Sequence, residues 1–349
     1  MAIASRFKVG VLGASGYTGA DIIRLAAAHP HTEITVLAAN THAGKPLGEV
    51  FPHLGFMEAS PLARAEDVDW AACDAVFCGL PHGTAQDIIA ALPRHVRVID
   101  MSADFRLKDT DVYARWYGRP HIAPDLLSEA AYGLTELNRD AIRAARIVAC
   151  PGCYPTASLL SLLPLVSAGL IDPTDIIIDA KSGISGAGRS LKQNTMFTEA
   201  GEGLSPYSIA SHRHAPEIEQ EISARAGQAV TVNFTPHLVP MSRGELTTSY
   251  VRLAQGATAS DLIAALRDAY EDAPFIRLAP HGTLPATQFV RGSNFCMIGV
   301  YADRIPSRAI VISAIDNLVK GSAGQALQNF NLMFGLPEKA GLAQLPLFP

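Results

Sequence analysis

The chain is poor in charge, with Asp, Glu, Lys and Arg making up 17% of its 349 residues, against about a quarter in ordinary globular domains. It has no run of Lys or Arg and a formal net charge of -5, which argues against nucleic acid as the main partner. Cysteine is scarce and odd in number, with five residues at 73, 78, 150, 153 and 296. That is no disulfide framework, and it points to a reducing compartment. No segment approaches the ~18 uninterrupted apolar residues of a membrane helix. The short apolar run near the start breaks at glycines before it reaches signal-peptide length. A soluble, cytoplasmic protein with no membrane partner is expected.

Apolar residues, by contrast, are plentiful at 48%, and the length suggests two domains, each with a substantial core. The first 150 residues alternate two periods. Phe7–Leu12 is a continuous apolar run, as in a strand buried on both faces. Gly19–His29 carries a helical apolar stripe and stops at Pro30. Strands over Ile34–Ala39, Ala75–Gly79 and Val96–Asp100, with a helix over Gly83–Leu92, complete a β/α alternation. After Cys150 a helix over Tyr154–Ser167 leads to strands at Ile176–Lys181, Val230–Phe234, Leu246–Leu253, Phe295–Tyr301 and Ala309–Ser313, with little helix between the later ones. Ala314–Phe334 reads as helical. The expected fold is α/β. A Rossmann-type doubly wound parallel sheet spans 1–150 together with 315–349, and a second α+β domain with a mixed, largely antiparallel sheet spans 151–314.

The turn Gly13-Ala14-Ser15-Gly16-Tyr17-Thr18-Gly19 lies between a predicted strand and a predicted helix. Glycines there allow a tight turn, and the helix start offers free N–H groups to a pyrophosphate. Gly79-Leu80-Pro81-His82-Gly83 forms a second strand-to-helix junction and is expected to border the same cofactor. NAD sites usually close the second strand with an acidic residue. No Asp or Glu occurs between Thr35 and Gly48, and the segment reads Asn40-Thr41-His42 with Lys45 beyond, so NADP is the expected cofactor.

Cys150-Pro151-Gly152-Cys153 precedes a helix with proline in its first turn. A thiol at that place feels the positive end of the helix dipole, which favours the nucleophilic thiolate. A redox C-x-x-C pair would need a thioredoxin-like sheet, and zinc would need a second ligand pair that Cys73 and Cys78 do not supply, so no metal is expected. Cys150 suits a plain buried strand end. His212-Arg213-His214-Ala215-Pro216-Glu217 places two histidines before a helix, as acid/base partners for a cysteine. His212 is preferred, because the dipole at the helix start disfavours an imidazolium at His214. Ser182-Gly183-Ile184-Ser185-Gly186-Ala187-Gly188-Arg189 could cradle a phosphate or admit a nicotinamide ring. Arg106, in Ser102-Ala103-Asp104-Phe105-Arg106, could hold a substrate carboxylate or phosphate.

Together these six motifs resemble those of the N-acetyl-gamma-glutamyl-phosphate reductases of arginine biosynthesis, from about Lys8 to Asp316-Asn317-Leu318-Val319-Lys320-Gly321. The resemblance implies Cys153 as nucleophile, with His212 or His214 as acid/base and His212 the first choice. It implies that Arg106 and Glu217 position substrate or histidine. Gly13, Ser15, Gly16, Tyr17, Thr18, Gly19, Pro81, His82, Ser185, Gly186 and Asn317 would contact NADP. It also implies a C-terminal helix returning to the first domain, an acyl-phosphate substrate yielding a semialdehyde and inorganic phosphate, and a homodimer or homotetramer. Aminoadipyl or aspartyl phosphate is the alternative substrate, and an NADP-binding sensor without turnover is the alternative of another class. Where relatives carry Ser and Arg after the second strand, this chain has Asn40-Thr41-His42.

Overall fold

The computed structural model describes residues 6–349; residues 1–5, the start of the expected first domain, lie outside it. The chain forms two compact units. The first runs to Pro151 and takes up the chain again over Ser322–Ala343; the second comprises Gly152–Gly321 and Gln344–Pro349. The stretches 315–321 and 344–349 therefore belong to the second unit, whereas the sequence pattern assigned them to the first. The reason is that the last long strand runs to Ile315 and the helix begins only at Gly324.

In the first unit, strands β1 (Phe7–Leu12), β2 (Thr32–Ala38), β3 (Ala75–Cys78), β4 (Arg97–Asp100), β5 (Ala130–Tyr132) and β6 (Ile147–Ala149) form one sheet in the order β2-β1-β3-β4-β6-β5. Every pairing is parallel. Val9, Val11, Val76, Phe77, Val98, Ile99, Ile147 and Val148 are all fully buried, which explains the unbroken apolar runs. Strand order reverses beside β1, so the ends of β1 and β3 flank the crevice where open α/β sheets take ligands. The helix Gly324–Met333 is buried in this unit and packs against the helix Tyr17–Ala27 and β4. The resemblance implied this return of the chain.

The second unit holds β7 (Ile171–Gly183), β8 (Ser205–Pro206), β9 (Asn233–Val239), β10 (Glu245–Leu253), β11 (Ile276–Leu278), β12 (Cys296–Ala302) and β13 (Arg308–Ile315), in the order β11-β12-β13-β10-β7-β9-β8. The sheet is mixed: β7 pairs parallel with β9 and β11 with β12, while β10 is antiparallel to both neighbours. The helix Cys153–Ser167, buried from Tyr154 to Val166, packs on β10, β13 and β7. An all-round apolar helix has no solvent face and must lie in a core. The helix Ala215–Ala226 packs beside it, and so does Ala259–Ala269. The latter corrects the expectation of little helix among the later strands.

Candidate active site

The first glycine turn is built by steric necessity. Gly13 has φ +81°, and a Cβ there would meet the Gly79 carbonyl oxygen at 2.5 Å. A Cβ on Gly19 would lie 2.3 Å from the Gly13 carbonyl oxygen and 2.9 Å from Ala14 Cα. Gly16 then caps the helix Tyr17–Ala27, which has no side-chain cap and no acidic residue in its first turn. The turn is thus a cradle that side chains would fill, opening on unneutralised helix N–H groups. It fits the pyrophosphate of a dinucleotide. Tyr17 is 38% exposed, and the Thr18 hydroxyl contacts Ser322 Oγ at 3.4 Å.

The second junction is held from below. Asp104 is fully buried; Oδ1 accepts from the Gly83 N–H at 2.6 Å and Oδ2 from the Ala85 N–H at 3.1 Å. This fixes the turn that carries Pro81 and His82, and the His82 ring lies against Tyr117. Arg106 is 8% exposed, and its guanidinium donates to the carbonyls of Cys150 at 2.8 Å and Met101 at 3.2 Å. Two of its N–H groups therefore anchor strand-end backbone. After β2, Asn40, Thr41 and Lys45 are exposed, and Asn40 Oδ1 accepts from the Ala65 N–H.

In the second unit Cys153 is the first residue of its helix and is partly exposed, unlike the other four cysteines, which are buried. Burial pushes the Cys150 thiol up to about 12, and Asn329 contacts its sulfur at 3.6 Å. Close packing fixes the cysteine turn. A Cβ on Gly152 would meet His214 Nε2 at 2.2 Å, and one on Gly321 would meet Cys153 Cβ at 2.7 Å. Glu217, 1% exposed in the first turn of its helix, accepts from the Gly152 N–H through Oε1 at 2.9 Å. The carboxylate thus ties the start of one helix to the cysteine turn of another.

The two histidines differ. His212 packs edge-on against Tyr154, Tyr207 and Phe234 at centroid distances of 5.6, 5.3 and 5.4 Å. Its Nδ1 accepts from the His214 N–H at 3.1 Å. Burial, with Arg213 beside it, lowers its pKa to about 4. His212 is thus held in a ring cage. His214 is the histidine that touches the cysteine turn.

Asn317 fastens the glycine-rich loop. Its Oδ1 accepts from the Gly244 N–H at 2.9 Å and its Nδ2 donates to Ser185 Oγ at 2.9 Å. Gly186 lies next to it, its Cβ position 3.7 Å from Asn317 Nδ2. Two residues escaped the sequence reading. Gly321 was legible only as a helix residue, and Glu245 sits within a strand, where a carboxylate reads as solvent-facing. Glu245 is fully buried.

If Glu217 acts by positioning, Glu217→Ala should lower kcat by roughly tenfold or more and leave KM within about threefold, since small displacements of a nucleophile are costly. Steady-state kinetics checks this. A rise in KM at constant kcat would instead make Glu217 a substrate contact.

Two family models match the chain, the semialdehyde dehydrogenase NAD binding domain over residues 8–145 and the semialdehyde dehydrogenase dimerisation domain over residues 153–317. Fold and cysteine site together place the chain in the semialdehyde dehydrogenase class. An aspartate semialdehyde dehydrogenase II from Vibrio cholerae superposes with a TM-score of 0.72 at 19% identity, covering 95% of this chain and 99% of that one. The Candida albicans aspartate semialdehyde dehydrogenase solved with NADP gives 0.71 at 18%, covering 97% and 99%. At such identity these two share the fold. The N-acetyl-gamma-glutamyl-phosphate reductase of Rhodospirillum rubrum is 54% identical over 99% of this chain and 100% of its own. That of Paracoccus denitrificans is 52% identical over 98% and 99%. A probable chloroplastic reductase of Arabidopsis thaliana is 53% identical over 98% of this chain and 85% of its own. The chain belongs to the N-acetyl-gamma-glutamyl-phosphate reductase family.

Proposed function

We infer that this oxidoreductase converts N-acetyl-gamma-glutamyl phosphate to N-acetylglutamate 5-semialdehyde and inorganic phosphate, in arginine biosynthesis. The observation that carries the reading is Cys153 as the partly exposed first residue of a buried helix, with His214 and Glu217 packed on its turn. The Cys153 sulfur attacks the acyl carbon, the bond from carbon to the phosphate oxygen breaks, and phosphate leaves. His214 takes the thiol proton. The product is a thioester on Cys153, which accepts hydride more readily than a carboxylate. NADPH supplies that hydride when bound. His214 returns its proton during reduction. Collapse of the resulting thiohemiacetal breaks the C–S bond, releases the aldehyde and restores the cysteine. Gly13, Ser15, Gly16, Tyr17, Thr18, Gly19, Pro81, His82, Ser185, Gly186 and Asn317 would hold the cofactor.

Arg106, by this reading, acts chiefly through the Cys150 and Met101 carbonyls it holds. No helix among the described residues is long and apolar enough to cross a membrane, and we place the enzyme in the cytoplasm as a homodimer or homotetramer. The open face of the second sheet supports self-association: Ile177 is 39% exposed on it, and the helices pack on the opposite side.

Run in reverse, the reaction should show NADP reduction that depends on inorganic phosphate, tested with a panel of N-acylated semialdehydes, aspartate semialdehyde and aminoadipate semialdehyde. A higher kcat/KM for aspartate or aminoadipate semialdehyde would overturn the substrate. With no carboxylate closing β2, NADP should be preferred over NAD by tenfold or more in kcat/KM, about 1.4 kcal/mol. Equal efficiency with NAD would refute that argument.

A further inference from the structure

Glu245 opens β10 and pairs in register with Ser182 of β7 and Ile315 of β13, on the face covered by the Cys153 helix. Its side chain is 0% exposed. Neither carboxyl oxygen accepts a hydrogen bond of good geometry among the described residues. The Cys153 thiol and the Ser182 hydroxyl are the polar groups lying against it. The titratable groups coupled to it are acids or weak acids, Cys153 and Tyr154 on the helix, Tyr207 on the segment before the histidines, and Asp316 after β13, while the nearby cation Arg243 is paired with Asp316 at 3.5 Å. A buried carboxylate without a cation is costly to ionise, whereas a neutral acid needs only an acceptor for its O–H.

We propose that Glu245 belongs to the catalytic centre as a neutral carboxylic acid, its hydroxyl donating a hydrogen bond to the Cys153 sulfur and so stabilising the thiolate. Burial supports this by raising its pKa to about 8. No proton leaves Glu245 in the step: the thiol proton goes to His214 and the Glu245 O–H bond stays intact. A hydrogen bond to the charged form of a partner favours that form. Above its own ionisation, Glu245 would lose the donor and set a second negative charge beside the sulfur.

The proposal rests on Cys153 as nucleophile, so its test reads the thiolate directly, without turnover. Full-length enzyme is alkylated with iodoacetamide across pH, and Cys153 modification is followed by peptide mass. At pH 7, Glu245→Gln, which keeps a neutral donor, should react at least ~10-fold faster than Glu245→Leu, whose thiolate midpoint should lie about one pH unit higher. In turnover, wild type should lose kcat/KM above about pH 8, and Glu245→Gln should lack that alkaline limb. The Gln variant is close to isosteric, so the limb decides the matter even if the Leu variant fails to fold. Equal slowness of Gln and Leu would make Glu245 an ionised base, and coincident profiles in all three would leave it a structural residue; either overturns the proposal. Loss of turnover in Glu245→Gln with normal alkylation would also count against it. Retained turnover in Cys153→Ser would instead sink the underlying mechanism.

Discussion

Cys153→Ser is expected to lower kcat by ~10³-fold or more, about 4 kcal/mol of barrier, while NADP affinity changes by less than about threefold. A serine hydroxyl supplies no accessible anion near neutral pH and forms an ester that a thioester's reactivity toward hydride far exceeds. The glycine turn Gly13–Gly19 belongs to the first unit and Cys153 to the second. Cys150→Ser should keep activity within about tenfold. Cys150 is 1% exposed, and burial holds its thiol protonated. Fluorescence titration with NADPH and single-turnover kinetics of both variants check this. Equal losses in the two would revive the redox-pair reading of Cys150-Pro151-Gly152-Cys153.

The contrast between the two cysteines shows what kind of information a sequence carries. The helix after Cys153 announces itself through local signals, a proline in the first turn and a long apolar run, so the helix and the thiol at its start were both readable. The glycine turn was readable from its spacing between strand and helix, although the packing that demands Gly13 comes from distant Gly79. The helix Ala259–Ala269 was missed although its signal was there. Thr258 and Asp261 form a capping box, with Thr258 Oγ1 accepting from the Asp261 N–H and Asp261 Oδ2 from the Thr258 N–H. That spacing is a known start signal, here followed by too few large apolar residues to stand out. Gly321 and Glu245 gain their meaning only from Cys153, far off in the chain, and no local period encodes that approach. The boundary near Gly321 was blurred for a related reason. A π-helical turn over Val319–Ala323 leads into the helix Gly324–Met333, so a helical pattern extends back over residues that stay with the second unit.

The choice between the histidines turns on energetics that local reasoning does not contain. The helix dipole favoured His212 over His214 as the group that cycles its charge, but a dipole contributes about 0.3–1 kcal/mol at an exposed terminus. Enclosing His212 among Tyr154, Tyr207 and Phe234 outweighs that: its pKa falls from 6.5 to about 4, leaving it neutral at working pH and unsuited to accept a thiol proton there. We therefore expect His214→Asn to lower kcat by ~10²-fold or more with little change in KM, a loss typical of a missing acid/base. His212→Asn should cost less than about tenfold, through weakened packing and the lost acceptor for the His214 N–H. The two variants should also separate in stability. A depressed histidine pKa leaves native stability intact above pH 6.5 and erodes it as pH falls toward about 4, because the unfolded chain takes up the proton first. Urea midpoints should accordingly decline across that window in wild type and His214→Asn, and less steeply in His212→Asn. A larger kcat loss in His212→Asn than in His214→Asn would restore the original assignment, whatever the ring cage does to its basicity in the free enzyme.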